Sequence, residues 1–269
     1  MAKTLTKRRA KNAGAKKHTS VAARAAAGKF CELPEVPQRV FTPDVGPERA
    51  RLIRNTDRKW ANGTTLHYHF LSSPAAWQGS AQDRRRVTDA FAAWKRLGIG
   101  LDFQEVASAD EAEIRIGFER GGGHWSYIGR DVLGAGQSDR TMNLDKGDVG
   151  TVDTAIHEIG HTLGFPHEHQ NPNAGIEWNE EAVYADLSGP PNNWPREQTF
   201  HNIIRKLNPG DVHGSAWDKD SIMHYPFKAG LINRPERYRT EALRPAPGLS
   251  PVDKEEVKSF YSPLQISDH

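Results

Sequence analysis

Thiols are almost missing from this chain. Cys31 is the single cysteine among 269 residues. That excludes an intramolecular disulfide. It also excludes a metal site of the zinc-finger type, which takes two or more thiolates from one chain. Any metal must be held mainly by His, Asp or Glu, and the sequence offers 12 histidines. Long apolar runs are missing too. No stretch approaches the ~18–20 apolar residues that cross a bilayer, and the mean hydropathy of −0.71 describes a polar, soluble chain with no membrane span. A classical secretory leader needs an unbroken apolar core of about 7–15 residues. The best candidate, Val21 to Ala27, is alanine-rich and interrupted by Arg24. Acidic residues are absent from positions 1–30, which carry Lys3, Lys7, Arg8, Arg9, Lys11, Lys16, Lys17, Arg24 and Lys29. The other 27 basic residues face all 34 acids, so the remainder is a mildly acidic body behind a basic arm.

What is present divides the chain in two. Residues 1–30 have almost no large apolar side chains and cannot offset the entropy of ordering them. Pro34, Pro37, Pro43 and Pro47 then mark an extended linker. Residues 1–47 therefore read as a disordered arm and linker, and 48–269 as one folded domain. Thr64 to Phe70 alternates Leu66, Tyr68 and Phe70 on one face, which predicts a strand. Ala81 to Leu97 predicts a helix with Val87, Phe91 and Trp94 on one stripe. Strands are expected at Leu101–Val106, Glu113–Phe118 and Thr141–Leu144, and a second helix at Thr151–Gly164. Beyond it the chain is rich in Pro, Asn, Gly and Trp with little periodicity. A last helix is expected at Pro251–Tyr261, with Ser250 as its N-cap. The order of elements predicts a mixed sheet with a helix packed on it.

The chemistry concentrates in His157–His169, HEIGHTLGFPHEH. On a helix turning roughly 100° per residue, His157 and His161 lie about 40° apart on one face. Val152, Ile156, Ile159 and Leu163 fall within about 60° of each other on the opposite face. That face can pack on the sheet while both imidazoles reach one metal ion. Glu158 sits about 100° round, beside the metal, where a carboxylate can take a proton from a water. Gly164 and Pro166 stop the helix, so the chain can double back and offer His167 as a third ligand. Three protein nitrogens and one open position describe a catalytic zinc site. Bound there, zinc lowers the pKa of a water to about 7. A bare HExxH also arises by chance, and a histidine cluster can bind nickel or copper incidentally. A chance match does not require Gly164 and His167 at their offsets, and an incidental metal binder requires neither Glu158 nor Gly164.

HExxHxxGxxH is the metzincin signature, and it is followed by a methionine turn. Ser221-Ile222-Met223-His224-Tyr225 lies about 56 residues after His167, and this SIMHY segment resembles the astacin-like branch of the metzincins. The resemblance spans roughly residues 50–262. It implies an α+β, two-lobed fold: an upper lobe (48–165) with a twisted mixed sheet and two helices, and a lower irregular lobe (166–269) with the C-terminal helix. It implies one catalytic Zn2+ held by His157, His161 and His167, with Met223 as an apolar floor. Tyr225 would be a fifth ligand that swings off to stabilise the oxyanion. His124–Arg130 is similar to the aromatic stretch before the active-site helix. Thr141–Leu144 would be the cleft's edge strand, where a peptide substrate adds as another strand. Glu168 matches the glutamate that contacts a processed N-terminus. Missing disulfides and leader depart from secreted astacins, which leaves a cytoplasmic or non-classically exported protein, and an extracellular one by analogy alone.

Cys31 has two readings. It is an incidental free thiol, or it occupies the open zinc position and keeps the enzyme latent. The basic arm is a solvated tail or targeting segment, or it contacts nucleic acid or an anionic membrane. It has no aromatics before Phe30 and no nucleic-acid-reading motif. The expected activity is zinc-dependent endopeptidase cleavage of proteins or peptides, with Glu158 as general base. The rival is a zinc-binding interaction module without turnover.

Overall fold

The structure is a computed structural model, and it describes residues 30–36, 57–147, 151–209 and 216–263. Residues 1–29, most of the proline-rich linker and the expected start of the folded body at 48–56 lie outside the described residues.

The sheet begins with β1, Thr65–Phe70, whose alternation is realised: Leu66, Tyr68 and Phe70 point inward. Helix α1, Ala81–Lys95, starts at a reciprocal capping box between Ser80 and Asp83. Its Val87, Phe91 and Trp94 are buried, and the Phe91 ring stacks on Tyr68 at 4.3 Å. Lys95 is the helix's last residue, and Gly98 follows at φ +74°. β2 (Asp102–Glu105) and β3 (Ile114–Gly117) both pair parallel to β1, one on each side.

Beyond β3 the order is not the expected one. β5, Met142–Asn143, pairs parallel with β3 but is not the edge. The edge is β4, Trp125–Ser126, antiparallel to β5, so the sheet runs β2-β1-β3-β5-β4. The cause is a buried amide. Asn143 accepts from Glu119 N (2.9 Å) and Arg140 Nη1 (2.7 Å) and donates to Gly123 O (2.6 Å). This ties the glycine-rich return segment outside β5 and converts β5 into an inner strand.

Helix α2, Val152–Thr162, packs on α1, with Trp94 Nε1 donating to Ile156 O at 3.1 Å. Ile156, Ile159 and Leu163 are buried as the periodicity requires. Val152 is 36% exposed, because the first turn of α2 overhangs the packed stretch. Ile156, Ile159 and Leu163 join one apolar core with the sheet and with Ile222 and Met223.

A second core lies in the segment where periodicity was weak. It contains β6 (Glu177–Trp178), antiparallel to β7 (Ile232–Arg234). It also contains α3 (Glu180–Ser188) and α4 (Arg196–Thr199), which runs into a π turn over Phe200–Ile204. The last helix, α5 (Pro251–Phe260), follows this region in sequence but buries its Val257 in the first core, as does the adjoining Tyr261. Tyr261 clamps the helices, donating its hydroxyl to Leu163 O at 2.7 Å and accepting from Trp60 N at 3.2 Å. Among the described residues no helix is long and apolar enough to cross a membrane.

Residues 30–33 differ from a free linker. Phe30, Cys31 and Leu33 are buried, and the first two belong to the second core. Large apolar side chains explain this: Phe30 and Leu33 can bury area that the preceding alanine-lysine segment cannot.

The α1–α2 contact is the scaffold of everything that follows. Trp94→Ala removes a ring that is 1% exposed and its bond to Ile156 O. It should cost about 3–5 kcal/mol, read as a fall in the urea midpoint of the full chain. A loss below about 1 kcal/mol would contradict this packing.

Candidate metal centre and active site

Helix α2 places His157 and His161 one turn apart, and Gly164 makes the third histidine reachable. Its φ of +101° is a left-handed conformation that glycine adopts without strain. The chain reverses there, with Phe165 N donating to Gly160 O at 3.0 Å, and brings His167 back. The three Nε2 atoms converge: His161 Nε2 lies 3.1 Å from His157 Nε2 and 3.1 Å from His167 Nε2. All three rings are buried.

The tautomers decide what this convergence means. His157 Nδ1 lies 2.7 Å from Ile222 O, and His161 Nδ1 lies 2.7 Å from Phe165 O. A carbonyl oxygen only accepts, so both Nδ1 atoms carry the proton. Both Nε2 lone pairs then point at one spot. Burial also disfavours the charged rings: it lowers His157 to about 4 and holds His161 and His167 well below the ordinary histidine range. Lone pairs facing each other at 3.1 Å repel unless a cation lies between them. A tetrahedral ion with bonds of about 2.0–2.1 Å separates its ligands by roughly 3.3 Å. The donor set, its neutrality and its spacing therefore fit a zinc-sized cation.

Cys31 completes the cluster. Its Sγ lies 3.5 Å from His161 Nε2 and 3.6 Å from Glu158 Oε2. Cys31, His157, His161 and His167 could hold one metal ion together, with ligand atoms all within 4.8 Å of one another. Burial, then the nearby Glu158 carboxyl, pushes the thiol's pKa up. Burial likewise raises Glu158 to about 8. Tyr225 reaches the same point: its hydroxyl lies 2.5 Å from His167 Nε2 and donates to Cys31 O at 2.9 Å. The backbone beyond the thiol is held as well. Glu32 N donates to His124 O (3.3 Å) beside edge strand β4, and Leu33 N to Asn202 Oδ1 (3.2 Å).

The floor is set from below. Met223 approaches α2 so closely that a Cβ on Gly160 would stand 2.4 Å from its Sδ. The turn carrying Met223 is pinned by the α5 cap: Asp253 accepts from Ser221 Oγ (2.7 Å), Ile222 N (2.8 Å) and Ser250 N (2.8 Å). Ile222 O is the acceptor that orients His157, so α5 reaches the metal cluster through two bonds.

A family model described as Astacin, a peptidase family, matches residues 52–235, which include all three histidines, Glu158 and the methionine turn. The chain belongs to the astacin family. Protein SpAN of Strongylocentrotus purpuratus is 33% identical over 72% of this chain and 29% of its own length. Zinc metalloproteinase nas-8 of Steinernema carpocapsae is 28% identical over 78% of this chain and 46% of its own length. The chain thus spans less than half the length of these curated relatives. Among solved structures, that of myroilysin matches with a TM-score of 0.69 and 29% identity, covering 77% of this chain and 97% of that chain. Zinc is the catalytic metal of this family, and the observed donor set accords with it.

Within the astacin frame, His157, His161, His167, Glu158, Cys31 and Tyr225 are brought to one place, Met223 packs against Gly160 and Gly164 makes the turn, whereas Glu168 stands apart. That carboxyl lies beneath, accepting from Asn171 Nδ2 (3.0 Å) and Asp218 N (3.1 Å), and burial raises it to about 7. Sequence reasoning missed Gly160, Asp253 and Phe30. Gly160 carried a signal, since a helix-interior glycine needs a packing reason. Asp253 signals only a cap; its hold on residues 221–222 is long-range. Asp253→Ala leaves Ile222 N unpaired and should cost roughly 2–4 kcal/mol, with Asp253→Asn losing less. Urea unfolding checks this, and a loss under about 0.5 kcal/mol would contradict the strut.

Proposed function

We propose that this chain is a zinc-dependent endopeptidase held latent by its own Cys31. The observation that carries the reading is the Glu158 carboxyl, 1% exposed, with Oε2 3.6 Å from the Cys31 thiol that joins the three converging imidazoles. His157, His161 and His167 are the zinc ligands. Zinc in this site supplies a Lewis acid for the substrate carbonyl and lowers the pKa of the attacking water. Glu158 takes the proton from that water and delivers it to the leaving nitrogen. Tyr225 already donates its hydroxyl to a backbone carbonyl, that of Cys31. A substrate carbonyl in the same place receives the same hydrogen bond as its oxygen gains charge. Met223 and Gly164 fix the ligands without touching the reacting atoms. The substrates are proteins or peptides bound along β4, because Glu32 N already bonds the His124 backbone beside that strand and Leu33 N bonds the side-chain oxygen of Asn202. Residues 1–47 form the pro-segment of this scheme, and 48–269 the catalytic domain.

Latency follows from the thiol. A thiolate is a strong zinc ligand, and Cys31 stands where water must enter. The same fact favours the second reading: three histidines and a cysteine make a closed set, as in structural zinc sites. One comparison separates the two. The zinc-loaded full chain, Cys31→Ala, and Cys31→Ala with Glu158→Gln are each given a mixed peptide library. The latent peptidase predicts at least a ~10-fold gain for Cys31→Ala. It predicts a ~10²–10⁴-fold loss on adding Glu158→Gln, with one zinc retained throughout. No cleavage by Cys31→Ala, with zinc bound, would establish the silent module.

A further inference from the structure

Phe30 is the neighbour of the thiol, and its ring is 6% exposed. It stands edge-on to Tyr225 at 4.9 Å, stacks on Phe227 at 5.7 Å and tilts against Trp194 at 6.2 Å. Ile203, Ile204, Leu231 and Leu243 belong to the same apolar cluster. The ring therefore plugs an aromatic box in the second core, one residue along the chain from the metal cluster. The backbone around it bonds the cleft as an extended peptide does: Glu32 N to His124 O, Leu33 N to Asn202 Oδ1, and Cys31 O to the Tyr225 hydroxyl.

We infer that the box filled by Phe30 is the side-chain pocket beside the scissile bond, and that it selects large aromatic or apolar side chains and rejects carboxylates. This rests on the peptidase reading above. The physical reason is desolvation. A benzyl-sized group regains the buried area that Phe30 gives up, whereas a carboxylate there loses its water to aromatic faces. The rings at Tyr225, Phe227 and Trp194 also favour the edge-on and stacked contacts that another aromatic can repeat. Phe30 thus makes the segment a copy of the preferred substrate with a thiol at the position of the cut.

The test uses the zinc-loaded full chain carrying Phe30→Gly and Cys31→Ala, which frees both pocket and metal. A peptide library should show Phe, Tyr, Trp or Leu enriched at one position flanking the cut bond. Their kcat/KM should exceed that of Asp or Glu by at least ~10-fold. A second readout needs no turnover. A labelled peptide copying residues 28–33 with Cys31→Ser should bind the same protein at least ~10-fold more tightly than its Phe30→Asp version, by fluorescence anisotropy. Cleavage with a flat or acid-preferring profile would overturn the pocket assignment and leave the peptidase standing. Equal binding of the two peptides would also overturn it. Tenfold discrimination in binding without any cleavage would keep the pocket and sink the peptidase reading.

Discussion

Two imidazole lone pairs, those of His157 and His161, are forced onto one point that His167 Nε2 also approaches, and the rest of the molecule is arranged around that constraint. The force comes from backbone carbonyls. Ile222 O and Phe165 O take the Nδ1 protons of His157 and His161, leaving both Nε2 atoms bare and 3.1 Å apart. Burial removes the other escape, because protonated rings are disfavoured there. A cation relieves the repulsion, so metal affinity is written into the fold's main chain as much as into its side chains.

The two carbonyls come from different parts of the chain. Phe165 O belongs to the reversal at Gly164, a local device immediately after helix α2. Ile222 O belongs to the methionine turn, which is placed by Asp253 at the start of α5 and by the contact of Met223 with Gly160. The C-terminal helix is thus a support of the metal centre. Its burial in the first core, through Val257 and the adjoining Tyr261, makes that support rigid.

Local physics was legible in the sequence. The alternation in Thr65–Phe70, the stripe of α1, the stop at Gly164 and the cap at Ser250 each reflect interactions within a few residues, and each stands where periodicity put it. The HExxHxxGxxH spacing belongs to the same class, since a helix and one turn generate it. Long-range effects were not legible. Asn143 makes β5 an inner strand, where the edge was expected, through bonds to residues about twenty positions away. Helix α3 shows only two buried side chains, Val183 and Leu187, too few to impose a period. Phe30 reads as the end of a polar arm, because its partners at Trp194, Tyr225 and Phe227 lie far along the chain.

In the proposed resting state one zinc ion is held by three imidazoles and the thiol of Cys31. Zinc-edge X-ray absorption on the zinc-loaded full chain tests it directly. The expected shell is three nitrogen neighbours at about 2.0–2.1 Å and one sulfur at about 2.3 Å. A shell of nitrogen and oxygen alone would contradict it, and would leave Cys31 a buried thiol beside an open metal site.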